Sequence, residues 1–306
     1  AASVLRCSPL SRALVSKVGT KIMDFDKFND IKFVYRFFGK ERHNLTGLKE
    51  EYLWCSRVEA FNDPFENVIT ENDFDFRKFS VEEISIFLES NPQIRYRDAK
   101  SKKGADVSCL DLGKLLNSQK ESVCNDLNKA TVSSVNTVQT SKFHCLSHDA
   151  CDPKPLDNRL LWSHYASGLR GFVIEFELDS LLNSMRSKNG ESFFGCHLID
   201  YLSTDFETFI KSTIKERSKL MLNDFLFTKH VDWEYENELR LISSINKLNY
   251  SKSCINRIIV GEKMSLGNKV RLYKIAKSKG LADRLFTASI RRSDFSIQLT
   301  PCKLKN

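Results

Sequence analysis

Residues 160–177 read LLWSHYASGLRGFVIEFE, and this stretch carries the clearest information on the fold. Its second half, residues 171–177, is rich in β-branched and aromatic residues and predicts a strand. Residues 168–171 before it predict a plain turn. The first half packs Trp162, His164 and Tyr165 more densely than a folding core requires. A histidine in such a segment is more often a hydrogen-bonded core residue than a catalyst, so both roles stay open.

The same composition predicts strands along the rest of the chain, at residues 31–35, 52–56, 143–147, 196–201, 238–243, 255–260, 285–289 and 295–299. Helices are predicted at residues 81–89, 206 to about 228 and 266–279. Ser80 and Glu83 form a capping box for the first, while Ser265 begins the last and Gly280 ends it. Because strands and helices do not alternate regularly, the class is α+β rather than a doubly wound parallel sheet.

Composition and charge exclude several classes of protein. None of the apolar runs in the 306 residues is long enough for a membrane helix, so we expect no membrane contact. Only 12 residues are glycine, and neither the dinucleotide fingerprint G-x-G-x-x-G nor a P-loop occurs. The net charge of +8 is concentrated in the basic residues 250–306. This end is more simply a solvated face than a phosphate contact, since a nucleic-acid binder spreads positive charge along its binding surface.

Cysteine and histidine usage bears on compartment and metal binding. The nine cysteines are odd in number and irregularly spaced, which indicates a reduced protein of the cytoplasm. His144, Cys145, His148 and Cys151 lie within eight residues, but their spacing fits no zinc motif. On a strand, His144 and Cys145 also point to opposite faces. We therefore expect no metal site.

Two parts of the chain differ from the rest in composition. Residues 1–22 contain four basic and no acidic side chains and precede Met23, which is typical of a leader or of a cloning remnant. Residues 98–141 are polar and rich in Lys, Ser and Asn, which predicts a helical insertion. Because strands of the same character flank it, we predict one α+β domain over residues 23–306.

A further dense segment, residues 233–242, reads WEYENELRLI. If it is extended, Glu234, Glu236, Glu238 and Arg240 share one face, and carboxylates about 7 Å apart repel each other unless a positive group faces them. Arg240 can offset one of them. The segment is either a solvated strand edge or a site in which one glutamate contacts a substrate hydroxyl or a developing cation.

The chain resembles the bacterial domain of unknown function 2971 (DUF2971) family in ordered motifs over about residues 33–299. They are VYR at 34–36, LWCS at 53–56, FNDPFE at 61–66, CLS at 145–147, WSHYASGLRGFVIEF at 162–176 and WEYENELRLI at 233–242. That family has no settled activity. Its pattern resembles, more loosely, the ADP-ribosyltransferase superfamily, whose members bind NAD in a cleft of a split, glycine-poor β core.

The looser resemblance implies a split β core with surrounding helices, and a set of site residues. Glu238 takes the position of the catalytic glutamate, with Glu236 beside it and Arg36 as a further catalytic group. The residues implied to bind NAD are Tyr35, Arg36, Trp54, Ser56, Trp162, His164 and Tyr165. Tyr-Arg stands where many superfamily members have histidine on the first strand, and His164 or Arg36 would replace that histidine.

The implied function is that of an NAD-dependent ADP-ribosyltransferase-like toxin or defence effector that modifies a macromolecule, either nucleic acid or protein. Cleavage of the nicotinamide–ribose bond passes through an oxocarbenium-like state, which a nearby carboxylate stabilises and an aromatic wall helps to orient. NAD is then a substrate, and a regulatory partner and the oligomeric state stay open. Two alternatives also remain: a nuclease-type toxin that uses His164, Tyr165 and the acidic cluster, and a non-catalytic ligand-sensing module with the same aromatic cleft.

Overall fold

The computed structural model describes residues 28–61, 63, 75–90, 117–118, 120–129, 141–203, 206–216 and 227–302. The chain divides into two compact units, one of residues 1–17, 58–141 and 202–230, the other of residues 18–57, 142–201 and 231–306. The predicted leader and most of the predicted insertion at 98–141 lie outside the described residues, so those boundaries stay predictions.

The larger unit is built on a mixed sheet of eight strands in the order β12-β11-β10-β4-β1-β3-β8-β5. Neighbouring strands are antiparallel except β10 and β11, which are joined by a helix and run parallel. The eight strands are β1 (Phe33–Phe38), β3 (Lys142–His148), β4 (Phe172–Glu177), β5 (Phe193–Leu198), β8 (Glu238–Ser243), β10 (Ile255–Gly261), β11 (Leu285–Arg291) and β12 (Ser296–Pro301). A separate pair consists of β2 (Tyr52–Trp54) and β9 (Lys247–Asn249).

Helices lie before, between and after these strands. Those with described bounds are α1 (Asn44–Glu50), α2 (Val81–Ser90), α3 (120–129), α4 (Arg159–His164), α5 (Leu178–Asn189), α6 (Phe206–Lys215) and α7 (Leu266–Ser278). Short strands β6 (Asp200–Leu202) and β7 (Thr228–His230) complete the set. None of the helices in the described part of the chain is both long and apolar enough to cross a membrane.

The sheet of the larger unit is covered on both faces, because alternate residues of each strand point to opposite sides. One face carries Val34 and Ile174, which pack with buried leucines of α5 and with Leu272 of α7. The other face carries Phe37 and Val173, which pack with a smaller cluster that includes residues of α4. The two faces of β1 therefore meet different layers of the protein.

The smaller unit has an aromatic core of its own. The rings of Phe76 and Phe87 lie 5.0 Å apart between centroids, and Phe79 is buried beside them. Phe76 N donates to Asn128 Oδ1 at 3.0 Å, which joins the segment before α2 to α3. These contacts hold α2, α3 and the segment before α2 together.

The α+β class is confirmed, and so are most of the predicted strands. The capping box is formed as predicted, with Ser80 N donating to Glu83 Oε2 at 2.7 Å and Glu83 N donating to Ser80 Oγ at 3.1 Å. Gly280 has a φ of 70°, as a left-handed helix end requires. The helix predicted from residue 206 to about 228 is wrong at its end, because Thr228 begins a strand in which burial alternates from Phe227 to His230.

Residues 233–242 are also not extended throughout. Val231–Glu236 is a 3₁₀ helix, Asn237 has a φ of 44°, and only then does β8 begin. Asparagine tolerates that left-handed conformation better than most residues, which explains the change of structure at this point. Glu234 is exposed, and β8 lies between β3 and β5, so the alternative of a solvated strand edge is wrong.

Candidate functional site

The hydrogen-bond ladder between the neighbouring strands β1 and β3 is incomplete. β1 pairs with β4 at six positions, but with β3 only at Val34–His148 and Tyr35–Ser147. Further along β3, Phe143 pairs with β8 on one side and with Ser56 on the other. Ser56 N donates to Phe143 O at 2.9 Å, and Phe143 N donates to Ser56 O at 2.7 Å. The segment that contains Ser56 thus occupies the place beside β3 that β1 has left.

We call the place where the two strands separate the β1–β3 opening. Its residues are Arg36, Trp54, Ser56, His144 and Cys145. Backbone groups of alternate residues on a strand point to the same side, so Cys145 directs its carbonyl toward β1, as Phe143 does toward Ser56. Without a ladder partner on β1, that carbonyl needs a side-chain donor.

Arg36 supplies this donor and places a positive charge in the opening. Its Nη1 donates to Cys145 O at 3.2 Å. Burial lowers the pKa of Arg36 below its ordinary value. The groups whose charges counteract that shift in the pKa of Arg36 are Cys145, Tyr165, Glu238 and Glu236. Three of the predicted site residues therefore lie within electrostatic reach of Arg36.

His144 lies at the other side of the same opening. Its Nδ1 is 2.8 Å from the carbonyl oxygen of Trp54, and its side chain is buried. Burial lowers the pKa of His144 to about 3, and the charge of Arg36 acts in the same direction. The imidazole is therefore neutral at physiological pH.

Two buried glutamates lie near Arg36. Glu236 ends the 3₁₀ segment and accepts a hydrogen bond from the hydroxyl of Tyr165. Glu238 begins β8, and Arg240 Nε donates to its Oε1 at 2.5 Å. Arg240 therefore offsets one carboxylate of the cluster, as its place in the sequence suggests. The carboxylate of Glu238 is held in a buried ion pair, and that of Glu236 accepts a hydrogen bond from the hydroxyl of Tyr165.

Asn158 fixes the position of Tyr165 relative to Glu236. Its Oδ1 caps α4 by accepting from Leu160 N at 2.9 Å, and its Nδ2 donates to Tyr235 O at 2.9 Å. At the other end of α4, His164 Nδ1 lies 2.9 Å from the hydroxyl oxygen of Tyr235. Two segments about 70 residues apart in sequence are thereby joined at both ends of α4.

Tyr35 belongs to a different and closed polar cluster. Its hydroxyl is hydrogen-bonded to the carboxylate of Glu175, which lies opposite Tyr35 on the neighbouring strand β4. Arg257 Nε donates to Oε1 of the same carboxylate at 2.8 Å. Burial raises the pKa of Tyr35 above its ordinary value, and the charge of Glu175 raises it further. The structure does not bring Tyr35 to the β1–β3 opening, although the resemblance placed it with Arg36.

Three further residues that were predicted to bind NAD also have different surroundings. Trp162 is 2% exposed, donates from Nε1 to Leu156 O at 2.8 Å and packs edge-on against Phe37, so its indole belongs to the core and is no wall of the opening. Trp54 is 52% exposed, and only its backbone carbonyl contacts His144. His164 is exposed and contacts Tyr235. Of the predicted residues, Tyr165, Glu236 and Glu238 lie within electrostatic reach of Arg36. Trp54 and Ser56 instead contact β3, at His144 and Phe143.

Sequence reasoning considered His144 only as a metal ligand and assigned no role to Glu175. Among the described residues, no group of three His, Cys, Asp or Glu side chains could hold a metal ion. The available signal for Glu175 was a single charge inside the apolar run FVIEFE, which is expensive to bury without a partner.

Part of this geometry lies in a segment that matches a family model. Residues 161–241 match the model of DUF2971. This family is described as protein of unknown function, and the predicted resemblance is confirmed over these residues. The DUF2971 segment includes Tyr165, Glu236 and Glu238, whereas Arg36 and Trp54 precede it. Comparison with curated proteins and with solved structures finds no match to the chain.

Proposed function

We propose that the β1–β3 opening binds NAD and that the protein is an ADP-ribosyltransferase-like enzyme that modifies a macromolecule. The observation that carries the proposal is Glu236, a buried carboxylate bonded by Tyr165 and within electrostatic reach of Arg36, which lies where the β1–β3 ladder has ended. A toxin or defence role, a cytoplasmic location and a nucleic-acid or protein acceptor are parts of the same proposal.

The residues of the opening fit such a substrate chemically. Arg36 provides a fixed positive charge at the opening, and its Nε is buried with no hydrogen-bond partner among the described residues. Trp54, half exposed beside the opening, offers a face for an aromatic ring. The glycine fingerprints of Rossmann and P-loop sites are absent from the sequence, which agrees with a site built on side chains.

The two glutamates would have different roles. Glu236 is suited to stabilise the positive charge that develops on the ribose as the bond to nicotinamide breaks. Nicotinamide leaves with the bonding electrons, an acceptor nucleophile forms the new bond to the anomeric carbon, and the acceptor's proton passes to a carboxylate or to water. Glu238, paired with Arg240, is suited to fix the start of β8 rather than to carry free negative charge.

The test is NAD consumption by the purified protein, with nicotinamide release as the readout. Glu236→Gln keeps an acceptor for the Tyr165 hydroxyl but removes the charge, and we expect at least a 100-fold loss of turnover with little change in melting temperature. Glu234→Gln is the matched control, because Glu234 is exposed on the same 3₁₀ segment. Glu238→Gln discriminates less well, since it also breaks a buried ion pair.

Three results would contradict the proposal. The first is no NAD turnover by the wild-type protein with any acceptor in a cell lysate, and the second is a Glu236→Gln variant as active as Glu234→Gln. The third is salt-sensitive cleavage of RNA or DNA without NAD consumption, which would favour the nuclease alternative. Binding of NAD without turnover would favour the ligand-sensing alternative.

A further inference from the structure

Four buried side-chain atoms in the described part of the chain have no hydrogen-bond partner. They are Arg36 Nε, His144 Nε2, His148 Nδ1 and Tyr250 Oη. A buried polar group left without a partner costs about 1–3 kcal/mol, so each such atom needs an explanation. Two of the four, on Arg36 and His144, lie at the β1–β3 opening, which makes a bound ligand the explanation to examine there.

The hydrogen-bond geometry determines which nitrogen of His144 carries the proton. A backbone carbonyl can only accept, and the carbonyl oxygen of Trp54 lies 2.8 Å from Nδ1, so Nδ1 must be the protonated nitrogen. In the neutral ring, Nε2 is then a bare lone pair. With only 4% of its surface exposed, His144 cannot satisfy this lone pair with bulk water.

The unpaired atom of Arg36 has the complementary character. Its Nε–H is a donor in every protonation state that a protein reaches, and Nη1 is already used on Cys145 O. Arg36 bonds the carbonyl oxygen of Cys145, the residue next to His144, and its charge lowers the pKa of His144, so both side chains belong to the same opening. The opening thus presents one unused donor and one unused acceptor.

We propose that Arg36 and His144 recognise a planar ligand group that carries an N–H donor beside an acceptor, as a primary carboxamide and the amino edge of adenine do. The group donates to His144 Nε2 and accepts from Arg36 Nε. NAD carries one such group at each end, and as a statement about NAD the inference rests on the proposed function. As a statement about a free amide or base it is independent of turnover.

The experiment measures binding of small probes to the whole protein by ligand-observed NMR. Nicotinamide and adenosine are the two probes, and their matched controls are methyl nicotinate and purine riboside, which keep the ring but lack the N–H donor. We expect one of the two probes to bind at least tenfold more tightly than its control, since the control leaves His144 Nε2 unpaired.

Two variants separate recognition from folding. In His144→Asn the amide nitrogen can take the place of Nδ1 and still donate to Trp54 O, while the acceptor at Nε2 is lost. We expect this variant to bind the preferred probe about tenfold more weakly, at the affinity that the wild-type protein shows for the control. His148→Asn is the control variant, because His148 lies four residues further along β3, where the ladder with β1 is formed. The charges that act on the pKa of His148 are those of Asp149 and Lys154, whereas Arg36 acts on that of His144.

Each outcome of the probe experiment either supports or overturns the inference, and none of them depends on the result of the NAD assay. Preference for nicotinamide or for adenosine supports it and also tells which group lies between Arg36 and His144. Equal binding of probe and control, equal binding by wild-type protein and His144→Asn, or no binding of either probe at millimolar concentration overturns it. Probe selectivity without NAD turnover would retain this inference while removing the proposed enzyme.

Discussion

Tyr35 and Arg36 are neighbours on β1, yet their side chains end in very different surroundings. Tyr35 lies where β1 is paired with β3 on one side and with β4 on the other, and its hydroxyl belongs to a cluster with Glu175 and Arg257. Arg36 lies where the β1–β3 ladder has ended, and its Nε has no hydrogen-bond partner in the part of the chain that the structure describes. Where the hydrogen-bond ladder is complete, charged side chains on neighbouring strands lie beside their partners. Where the ladder has ended, polar atoms remain that a ligand can bind.

The closed cluster shows what full pairing achieves. Glu175 is completely buried, and Arg257, Asn256 and Tyr35 all bond its carboxylate. These bonds raise the pKa of Arg257, and burial acts against them. These bonds occupy the carboxylate of Glu175, so we interpret this cluster as structural and the β1–β3 opening as the candidate site.

The largest effect that tests this comparison is expected from Glu175→Gln. The change removes the negative charge that faces Arg257, and breaking a buried ion pair costs about 3–5 kcal/mol. Because Arg257 keeps about a third of its side chain in solvent, we expect a smaller loss of about 2–3 kcal/mol in the free energy of unfolding. Urea denaturation measures this loss.

Glu177→Gln is the matched control for that experiment. Glu177 ends the same strand but is exposed, so its change should alter stability by less than about 0.5 kcal/mol. Probe binding at the opening should be unaffected in both variants. A Glu175→Gln protein that has normal stability but no longer binds the probes would contradict this comparison. It would mean that the cluster of Tyr35 and Glu175 is the functional site and that the β1–β3 opening is not.

The second effect concerns stability in acid. The pKa of His144 is lowered to about 3 and that of His148 to about 4, so both stay neutral in the folded protein while the unfolded chain takes up protons below about pH 6.5. The unfolded state then binds more protons, and stability falls as the pH falls from about 6.5 toward 3. Each group contributes at most about 1.4 kcal/mol per pH unit.

His144→Asn cannot titrate in this range and isolates one of the two contributions. Below about pH 6 we expect its free energy of unfolding to fall less steeply than that of the wild-type protein, by about 1 kcal/mol per pH unit. Urea denaturation at pH 7, 6 and 5 measures the slope, and carboxylates affect both proteins alike. Parallel slopes would mean that His144 is hydrated, and its unpaired nitrogen would then need no ligand.

Most strands of the sheet could be predicted from the sequence, but the β1–β3 opening could not. Strand β8 has the bounds that its composition predicts, because its pattern is local. Helix α5 was missed, although Leu178, Leu181, Leu182 and Met185 follow a helical spacing, because it begins directly after a strand without an intervening turn. Where β1 leaves β3 depends on pairing between residues more than a hundred positions apart, and no local pattern encodes it.

The candidate site was predictable to a similar extent. Arg36, Tyr165, Glu236 and Glu238 were predicted from residue type and motif, and the last three lie within electrostatic reach of Arg36. The sequence could not show whether Trp162 lies in the core or lines a binding site, because aromatic and apolar residues surround a tryptophan in both cases. The pairing of Glu238 with Arg240, by contrast, follows from their two-residue spacing on one strand.

The smallest effect is expected from Tyr35→Phe, and it tests the comparison at single-residue resolution. The change removes one hydroxyl from the closed cluster and should cost about 1 kcal/mol in the free energy of unfolding, the usual contribution of one hydrogen bond. Arg257 and Asn256 still bond the carboxylate of Glu175, which limits the loss. Because adjacent residues of a strand point to opposite faces, probe binding at Arg36 should not change. A Tyr35→Phe protein that keeps its stability but binds the probes tenfold more weakly would mean that the two halves of β1 act as one site.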